Sequence, residues 1–156
     1  MSVRWAVLVL AAVACGGGAE PSGGGEGLGA TVPDIPSGPL QGTIDGTAWQ
    51  AGEGAGFAYD DGQIEGELAE ADLTCDEGAD FDDLTVEIEV PSAPGTYALG
   101  GPDASVLLLT RNGSVFTTVG QIRVDSVTDT RVEGALVVEA DADNSVGGSF
   151  ALTLCP

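Results

Sequence analysis

The sequence predicts an all-β fold, namely an antiparallel β-sandwich or, as the alternative, a small barrel, with about eight or nine short strands behind a flexible tether. Three observations after residue 40 predict this class. Apolar and polar residues alternate with a period of two, turn residues separate the alternating stretches at spacings of roughly 8–15 residues, and no stretch has a helical period. Such alternation is typical of antiparallel sheets with one face in water.

The alternation is clearest just before Pro91, which ends the predicted strand because proline cannot extend a hydrogen-bonded ladder. Threonine and glutamate take the positions between four apolar residues, which are Leu84, Val86, Ile88 and Val90. The same pattern predicts further strands over 63–68, 116–125, 132–139 and 146–154. A continuous apolar run over 106–109 is typical of a strand that is covered on both faces.

Turn residues divide these stretches into hairpins. Asp-Gly and Asn-Gly pairs favour tight hairpins, because both central residues of such a turn take a positive φ. Turns of this kind are predicted at Asp45-Gly46, 60–62 and Asn112-Gly113, and the Asp- and Asn-rich segment 141–144 predicts a further turn.

The first fourteen residues have the layout of an export signal. Arg4 precedes an apolar run over 5–14, which is too short to cross a bilayer because a spanning helix needs about 20 residues. The sequence that follows is rich in glycine and then in proline, which predicts a flexible, disordered tether over 15–40. The all-β domain is predicted over 41–156.

The segment from Ala12 to Cys15 resembles the lipobox of bacterial lipoproteins, in which small residues precede a cysteine that becomes lipidated. Ala12 stands where that motif usually has leucine. The resemblance implies that 1–14 is a lipoprotein signal peptide and that Cys15 anchors the mature chain to a lipid bilayer. Cleavage of a plain signal peptide beside an unrelated cysteine is the alternative. Gly16 stands where aspartate would favour retention in the inner membrane, so the outer membrane is favoured.

Four short motifs accompany the lipobox-like segment. They are G-x-I-D-G-x-x-W over 42–49, P-G-T-Y over 94–97, R-V-x-G over 131–134 and G-G-S-F over 147–150. Taken together, the chain resembles small bacterial lipoproteins with an uncharacterised all-β domain. This resemblance implies a location in the bacterial cell envelope, at the periplasmic face or the cell surface. It offers no reaction and no catalytic residues.

The charge of the chain is strongly negative. Four arginines and no lysine stand against 25 acidic residues, and the formal net charge is −21. Loss of Arg4 with the signal would take the mature chain to −22, because no acid precedes residue 15. Such a surface repels nucleic acid and suits cations or basic partners, an envelope protein among them. A solvated acidic surface without a specific role is the simpler interpretation.

The three cysteines are Cys15, Cys75 and Cys155. Lipidation of Cys15 would leave an even pair in an oxidising compartment, where a disulfide persists. The sequence therefore predicts a Cys75–Cys155 bridge, and two free thiols are the alternative. The chain-entropy model gives a loop of about 80 residues roughly 4.5 kcal/mol of stabilisation.

Two acidic segments are candidate calcium sites, since calcium takes clustered carboxylate oxygens. The candidate ligands are Asp72, Asp76, Glu77, Asp80, Asp82 and Asp83 in one loop, and Asp141 and Asp143 in a later turn. The later turn is not an EF-hand, because Val146 takes the glycine position and Leu152 takes position twelve. Solvated loop acids are the alternative.

The residue types leave little for catalysis, so an enzyme is not expected, and neither is a cofactor. The chain has no histidine, which excludes Ser-His and Cys-His nucleophile pairs and the usual zinc sites. It has no lysine for a Schiff base and no G-x-S-x-G motif. Paired carboxylates of the glycosidase kind remain, although so many acids produce chance pairs.

Two functional hypotheses follow. The first is a lipid-anchored, non-enzymatic structural or protein-interaction domain. In a variant of this hypothesis, the acidic domain occupies a basic partner. The second is a module that binds a small ligand, a glycan or calcium through the acidic loops or through Trp49, Phe57 and Tyr59. These aromatic residues are expected in the core. Exposure of Trp49 and Tyr59 in a cleft with carboxylates would favour the second hypothesis, and packing of these residues inside would weaken it.

Overall fold

The computed structural model describes residues 32–80 and 83–156. The predicted signal peptide, Cys15 and the first part of the tether lie outside these residues, as does Asp82. The described residues contain no helix, and therefore none that is long and apolar enough to cross a membrane. The strands are β1 (Gln41–Ile44), β2 (Thr47–Gln50), β3 (Gly54–Ala58), β4 (Gln63–Leu68), β5 (Thr85–Pro91), β6 (Gly95–Ala98), β7 (Ser105–Thr110), β8 (Gly113–Thr117), β9 (Gly120–Val127), β10 (Arg131–Asp141) and β11 (Asn144–Cys155).

The described strands form one curled, open sheet, so the all-β prediction is confirmed. Nine strands follow one another in the order β6-β9-β10-β11-β3-β4-β5-β7-β8, and the β1–β2 hairpin joins at the side of β11. The predicted sandwich is not confirmed, because a sandwich requires two facing sheets. The half-barrel curl is compatible with the small-barrel alternative.

Strand β11 organises this sheet because it is long enough to pair with three other strands. One edge pairs with β10 from Arg131 opposite Thr153 to the turn at Asp141. The other edge pairs with β1 at its beginning and with β3 at its end. Since β3 runs parallel to β11, the prediction of an antiparallel sheet is wrong for this pair of strands.

The first hairpin turn confirms the Asp-Gly prediction. Asp45 has a φ of 53° and Gly46 a φ of 69°, which are the left-handed conformations that such a turn needs. The turn is held from outside as well, because Asn144 Oδ1 accepts a hydrogen bond of 2.9 Å from the backbone N–H of Asp45. This contact fixes the β1–β2 hairpin against the beginning of β11.

A single apolar core fills the inside of the curl. As predicted, β5 directs alternate residues inward, from Val86 to Val90. Trp49 is only 2% exposed, and its indole N–H donates a hydrogen bond of 2.8 Å to the carbonyl of Leu84. The prediction that Trp49 lies in the core is therefore correct. Its ring ties the β1–β2 hairpin to the residue that precedes β5.

The alternation over 116–125 places Phe116 on the same face as Ile122, and the structure shows that this is wrong. The expected strand is divided, since β8 ends at Thr117 and β9 begins at Gly120. Gly120 has a φ of 141°, and a Cβ there would lie 2.1 Å from the carbonyl oxygen of Val137. The break changes which alternate positions face the core, so Ile122 is buried while Phe116 is 62% exposed.

The residues before β1 lie against the sheet. Leu40 is buried and donates a backbone hydrogen bond of 2.8 Å to Ser149, which in turn donates one of 2.7 Å to Gly38. Gln121 donates a side-chain hydrogen bond of 2.8 Å to the carbonyl of Pro33. We call residues 33–40 the N-terminal strap. Contacts with the sheet thus begin before residue 41, the predicted start of the domain.

Candidate binding groove

The outer face of β3, β4, β5, β7 and β8 holds a groove of about 540 Å³, which we call the acidic groove. Its floor consists of two glutamates on β4 and two on β5, namely Glu65, Glu67, Glu87 and Glu89. Because side chains alternate along a strand, these four share the face opposite the core. The inward positions between them belong to Ile64, Gly66 and Ile88, which are part of the protein interior.

The register of β4 and β5 places these carboxylates in two facing pairs. Glu65 is directly opposite Glu89, and Glu67 is directly opposite Glu87. Directly opposite residues on an antiparallel pair have Cβ atoms about 5 Å apart, and like charges in that arrangement destabilise the sheet. The fold therefore keeps an unfavourable charge arrangement on this face.

Exposed aromatic side chains form two walls of the acidic groove. Five large hydrophobic residues of the described chain are exposed, and three of them line this groove: Phe57 (48%), Tyr59 (47%) and Phe116 (62%). Phe57 and Tyr59 stand at the β3 side, and Phe116 stands at the β8 side opposite Leu107. The expectation that Phe57 and Tyr59 belong to the core is therefore wrong.

The outward direction of Phe57 has a packing cause. The inward positions of β3 are Gly54 and Gly56, where a Cβ would lie 2.3 Å from the carbonyl oxygen of Glu67 and 2.4 Å from that of Glu65 on β4. Leu152 of β11 also lies beneath Gly54, at 2.5 Å from such a Cβ. Because the inner side of β3 has no room for larger side chains, its aromatic residue faces the groove.

The predicted disulfide joins Cys75 to Cys155 and borders the acidic groove. The two Cα atoms are 5.4 Å apart, within the normal range for a disulfide. The bridge fixes the loop between β4 and β5 to the end of β11. Thr74 and Gly78 of this loop also line the groove, so the disulfide positions its third side.

Hydrogen bonds hold three of the floor carboxylates. Tyr59 donates from its hydroxyl to Glu65 over 2.8 Å, the backbone N–H of Ala79 donates to Glu67 over 3.4 Å, and Ser105 donates to Glu89 over 3.4 Å. The ion pairs among the described residues are made by two arginines and include none of the floor glutamates. They are Arg123–Asp125, Arg131–Glu53 and Arg131–Glu133.

The surroundings of Glu87 disfavour its charged form. Partial burial raises the pKa of Glu87 above its ordinary value of 4.5, and the nearby charges of Glu67 and Glu65 raise it further. The pKa of Tyr59 is also raised, first because its hydroxyl donates to the Glu65 carboxylate. Both shifts have the direction that concentrated negative charge without a nearby cation produces.

We expect the substitution Glu87→Gln to increase the free energy of unfolding at pH 7 by about 0.5 kcal/mol, because it removes one of two facing like charges. Folding raises the pKa of Glu87, so protonation of this side chain stabilises the folded state. That stabilisation is fully present below the unfolded pKa near 4.5 and is lost as the pH rises through the higher folded pKa. The advantage of the variant should therefore be present at pH 7 and nearly absent at pH 4, as measured by urea denaturation.

The matched control is Glu139→Gln. Glu139 is also exposed on a strand, but the residue opposite it is Ser145, so no facing charge is removed. We expect this control to change stability little at either pH. An equal gain for both variants, or a gain for Glu87→Gln that persists at pH 4, would contradict the charge-pair explanation.

The structure does not bring the two sets of candidate calcium ligands together. Asp72 lies near the end of β11 that carries the disulfide, and its Oδ1 accepts a hydrogen bond of 2.8 Å from the backbone of Glu53. Asp141 lies at the other end, where its Oδ1 accepts hydrogen bonds from Asp143 and Asn144. Within 32–80 and 83–156, no three acidic or cysteine side chains are grouped so as to hold a metal ion.

The floor glutamates are not among the site residues predicted from the sequence. A signal existed, since Glu65 and Glu67 alternate with core residues, as do Glu87 and Glu89. The sequence alone does not show that β4 and β5 pair, or that their register places the glutamates of one strand opposite those of the other. The 16-residue segment 69–84 separates the strands, so no tight turn specifies that register.

The fold and the groove define the class as an all-β domain, built on one curled sheet, with an acidic surface groove walled by aromatic residues. Comparison of the chain with protein-family models, with curated proteins and with solved structures gives no match.

Proposed function

We propose that the chain is a lipid-anchored, non-enzymatic binding module of the bacterial cell envelope that binds a partner protein through the acidic groove. The anchor would be Cys15, and the outer membrane is the favoured location. The export-signal layout and the lipobox-like segment support this part of the proposal. The tether would allow the domain to reach partners at some distance from the membrane.

The observation that carries the binding role is the set of exposed aromatic side chains around the acidic groove. Apolar surface in water is unfavourable by roughly 25 cal/mol per Å², and aromatic residues are enriched where proteins bind one another. Packing turns Phe57 outward, and the carboxylates beside it repel one another. When a complementary surface covers such a face, the free energy decreases.

A small ligand or glycan in the same groove is the second candidate, which the exposure of Tyr59 beside carboxylates supports and the burial of Trp49 does not. A volume of about 540 Å³ lies within the roughly 300–1,000 Å³ of small-molecule sites. Tyr59 and Phe57 offer aromatic faces beside the Glu65 carboxylate, an arrangement that suits a sugar ring. Calcium binding in the loop 72–83, or at Asp141 and Asp143, stays a prediction.

In-cell photo-crosslinking tests the proposed function. A photoreactive phenylalanine analogue at position 116 should give a discrete heavier species in the membrane fraction, and Phe57→Ser should weaken it. The same analogue at Ala140, which is exposed at the end of β10, should give none. Cys15→Ser should move the domain out of the membrane fraction. Equal products at both positions would contradict the groove, and membrane retention of Cys15→Ser would contradict the anchor.

A further inference from the structure

We infer that the acidic groove takes an extended, basic segment of a partner protein, with arginine or lysine side chains over the glutamate floor and apolar side chains against the aromatic walls. This inference rests on the proposed function and names the chemistry of the partner. Three properties of the groove support it: the sign of its charge, the spacing of its carboxylates and the position of its apolar ends.

The charge of the floor requires a cationic partner. None of the three ion pairs formed by the described arginines includes a floor glutamate. A neutral surface that covered this floor would bury carboxylates without counter-charges, which is strongly unfavourable. Arginine and lysine side chains would pair with these carboxylates and relieve the repulsion between Glu65 and Glu89 and between Glu67 and Glu87.

The spacing of the carboxylates favours a ligand with distributed charge over a single ion. On the line that crosses the strands from Phe57 to Phe116, the successive carboxylates are Glu65 and Glu87, which are diagonal neighbours about 7–8 Å apart. The four floor carboxylates are spread over both strands. They do not form a group that could hold one metal ion. Positive charges about 7 Å apart occur on every second residue of an extended peptide.

The apolar ends define the length of the segment. Phe57 lies directly opposite Glu65 on the β3 side, and Phe116 lies opposite Leu107, the neighbour of Glu87, on the β8 side. From β3 to β8 are four inter-strand spacings of about 4.8 Å, or about 19 Å in total. An extended segment covers that distance in about six residue steps. Arginine has a further advantage, because its planar guanidinium can stack on an aromatic face.

A heptapeptide with the sequence Leu-Ser-Arg-Ser-Arg-Ser-Leu matches this pattern. When extended, it presents leucine, two arginines and leucine on one face over about 20 Å. The control peptide has glutamine in place of both arginines. Binding of each to the mature chain is measured by isothermal titration calorimetry at low and at high salt. We expect the arginine peptide to bind at least about tenfold more tightly, with an advantage that shrinks at high salt.

Matched variants assign the effect to the groove. Glu65→Gln with Glu87→Gln should weaken binding of the arginine peptide about tenfold, and so should Phe57→Ser with Phe116→Ser. Glu133→Gln with Glu139→Gln removes the same charge from β10, outside the groove, and should leave affinity within about twofold. Loss of binding in the groove variant cannot be attributed to unfolding, because Glu87→Gln is expected to stabilise the domain.

Several results would overturn the inference. Equal binding of the glutamine peptide would show that charge does not select the ligand. Equal weakening by the control variant would show a non-specific effect of net charge. Spermidine that displaces the arginine peptide at equal concentration would indicate a site for small amines. If neither peptide binds while the crosslink at position 116 stays specific, the proposed function stands and the basic partner is wrong.

Discussion

Replacement of both Cys75 and Cys155 by serine is expected to lower the melting temperature of the domain by about 10–15 °C. The bridge spans a sequence separation of 80 residues. Chain entropy predicts roughly 4.5 kcal/mol for such a loop, and about 3 kcal/mol is the usual measured size, which corresponds to this shift in a domain of roughly 120 residues. Differential scanning calorimetry of the variant and the oxidised wild type measures the difference.

Reduced wild-type protein is the control for this prediction. If the stabilisation comes from the covalent bond, reduced wild type and the double serine variant should melt at nearly the same temperature. A variant that melts within about 3 °C of the oxidised protein would show that other contacts hold the loop. Those contacts include the hydrogen bond of 2.7 Å from the backbone of Leu73 to Glu53.

The second large effect is expected from Trp49. Trp49→Ala should lower the free energy of unfolding by about 4 kcal/mol, because it leaves a cavity in the core. Trp49→Phe fills most of that space but leaves the carbonyl of Leu84 without its donor, so a loss of about 2 kcal/mol is expected. Urea denaturation followed by circular dichroism measures both, since the substitutions remove the tryptophan of the β-domain.

Phe116→Ser is the matched control, since it shortens an aromatic residue that is 62% exposed. Its effect should stay within about 0.5 kcal/mol. A Trp49→Phe variant as stable as the wild type would mean that water or a rearranged loop replaces the indole donor. A large loss for Phe116→Ser would mean that this side chain supports the fold, which would also weaken its assignment to a binding surface.

Local patterns predicted the parts of the fold that depend on neighbouring residues. The alternation before Pro91 and the Asp45-Gly46 turn both have local causes, and both are found as predicted. The pairing of β11 with β1 and β3 depends on residues about 100 positions apart, and no local pattern specifies it. A sandwich and a single curled sheet have the same alternation, so sequence alone could not distinguish them.

The groove was harder to predict than the fold for a related reason. Alternation tells which residues share a face, but it does not tell which face is inside when both contain apolar residues. On β3 the choice is made by the close approach of β4 and of Leu152 from β11, which leaves room only for glycine on the inner side and places Phe57 outside. Near Phe116 the choice of face is made by the break between two strands at Gly120. Both depend on tertiary packing.

The disulfide also gives the domain a mechanical asymmetry. It closes residues 75–155 into a covalent ring. A pulling force applied between the N-terminus and the ring can extend the chain only up to Cys75. Strands β1 to β4 lie in the extensible part, whereas β5 to β11 cannot be drawn out while the bond is intact. The acidic groove spans this division, since Glu65 belongs to one part and Glu87 to the other.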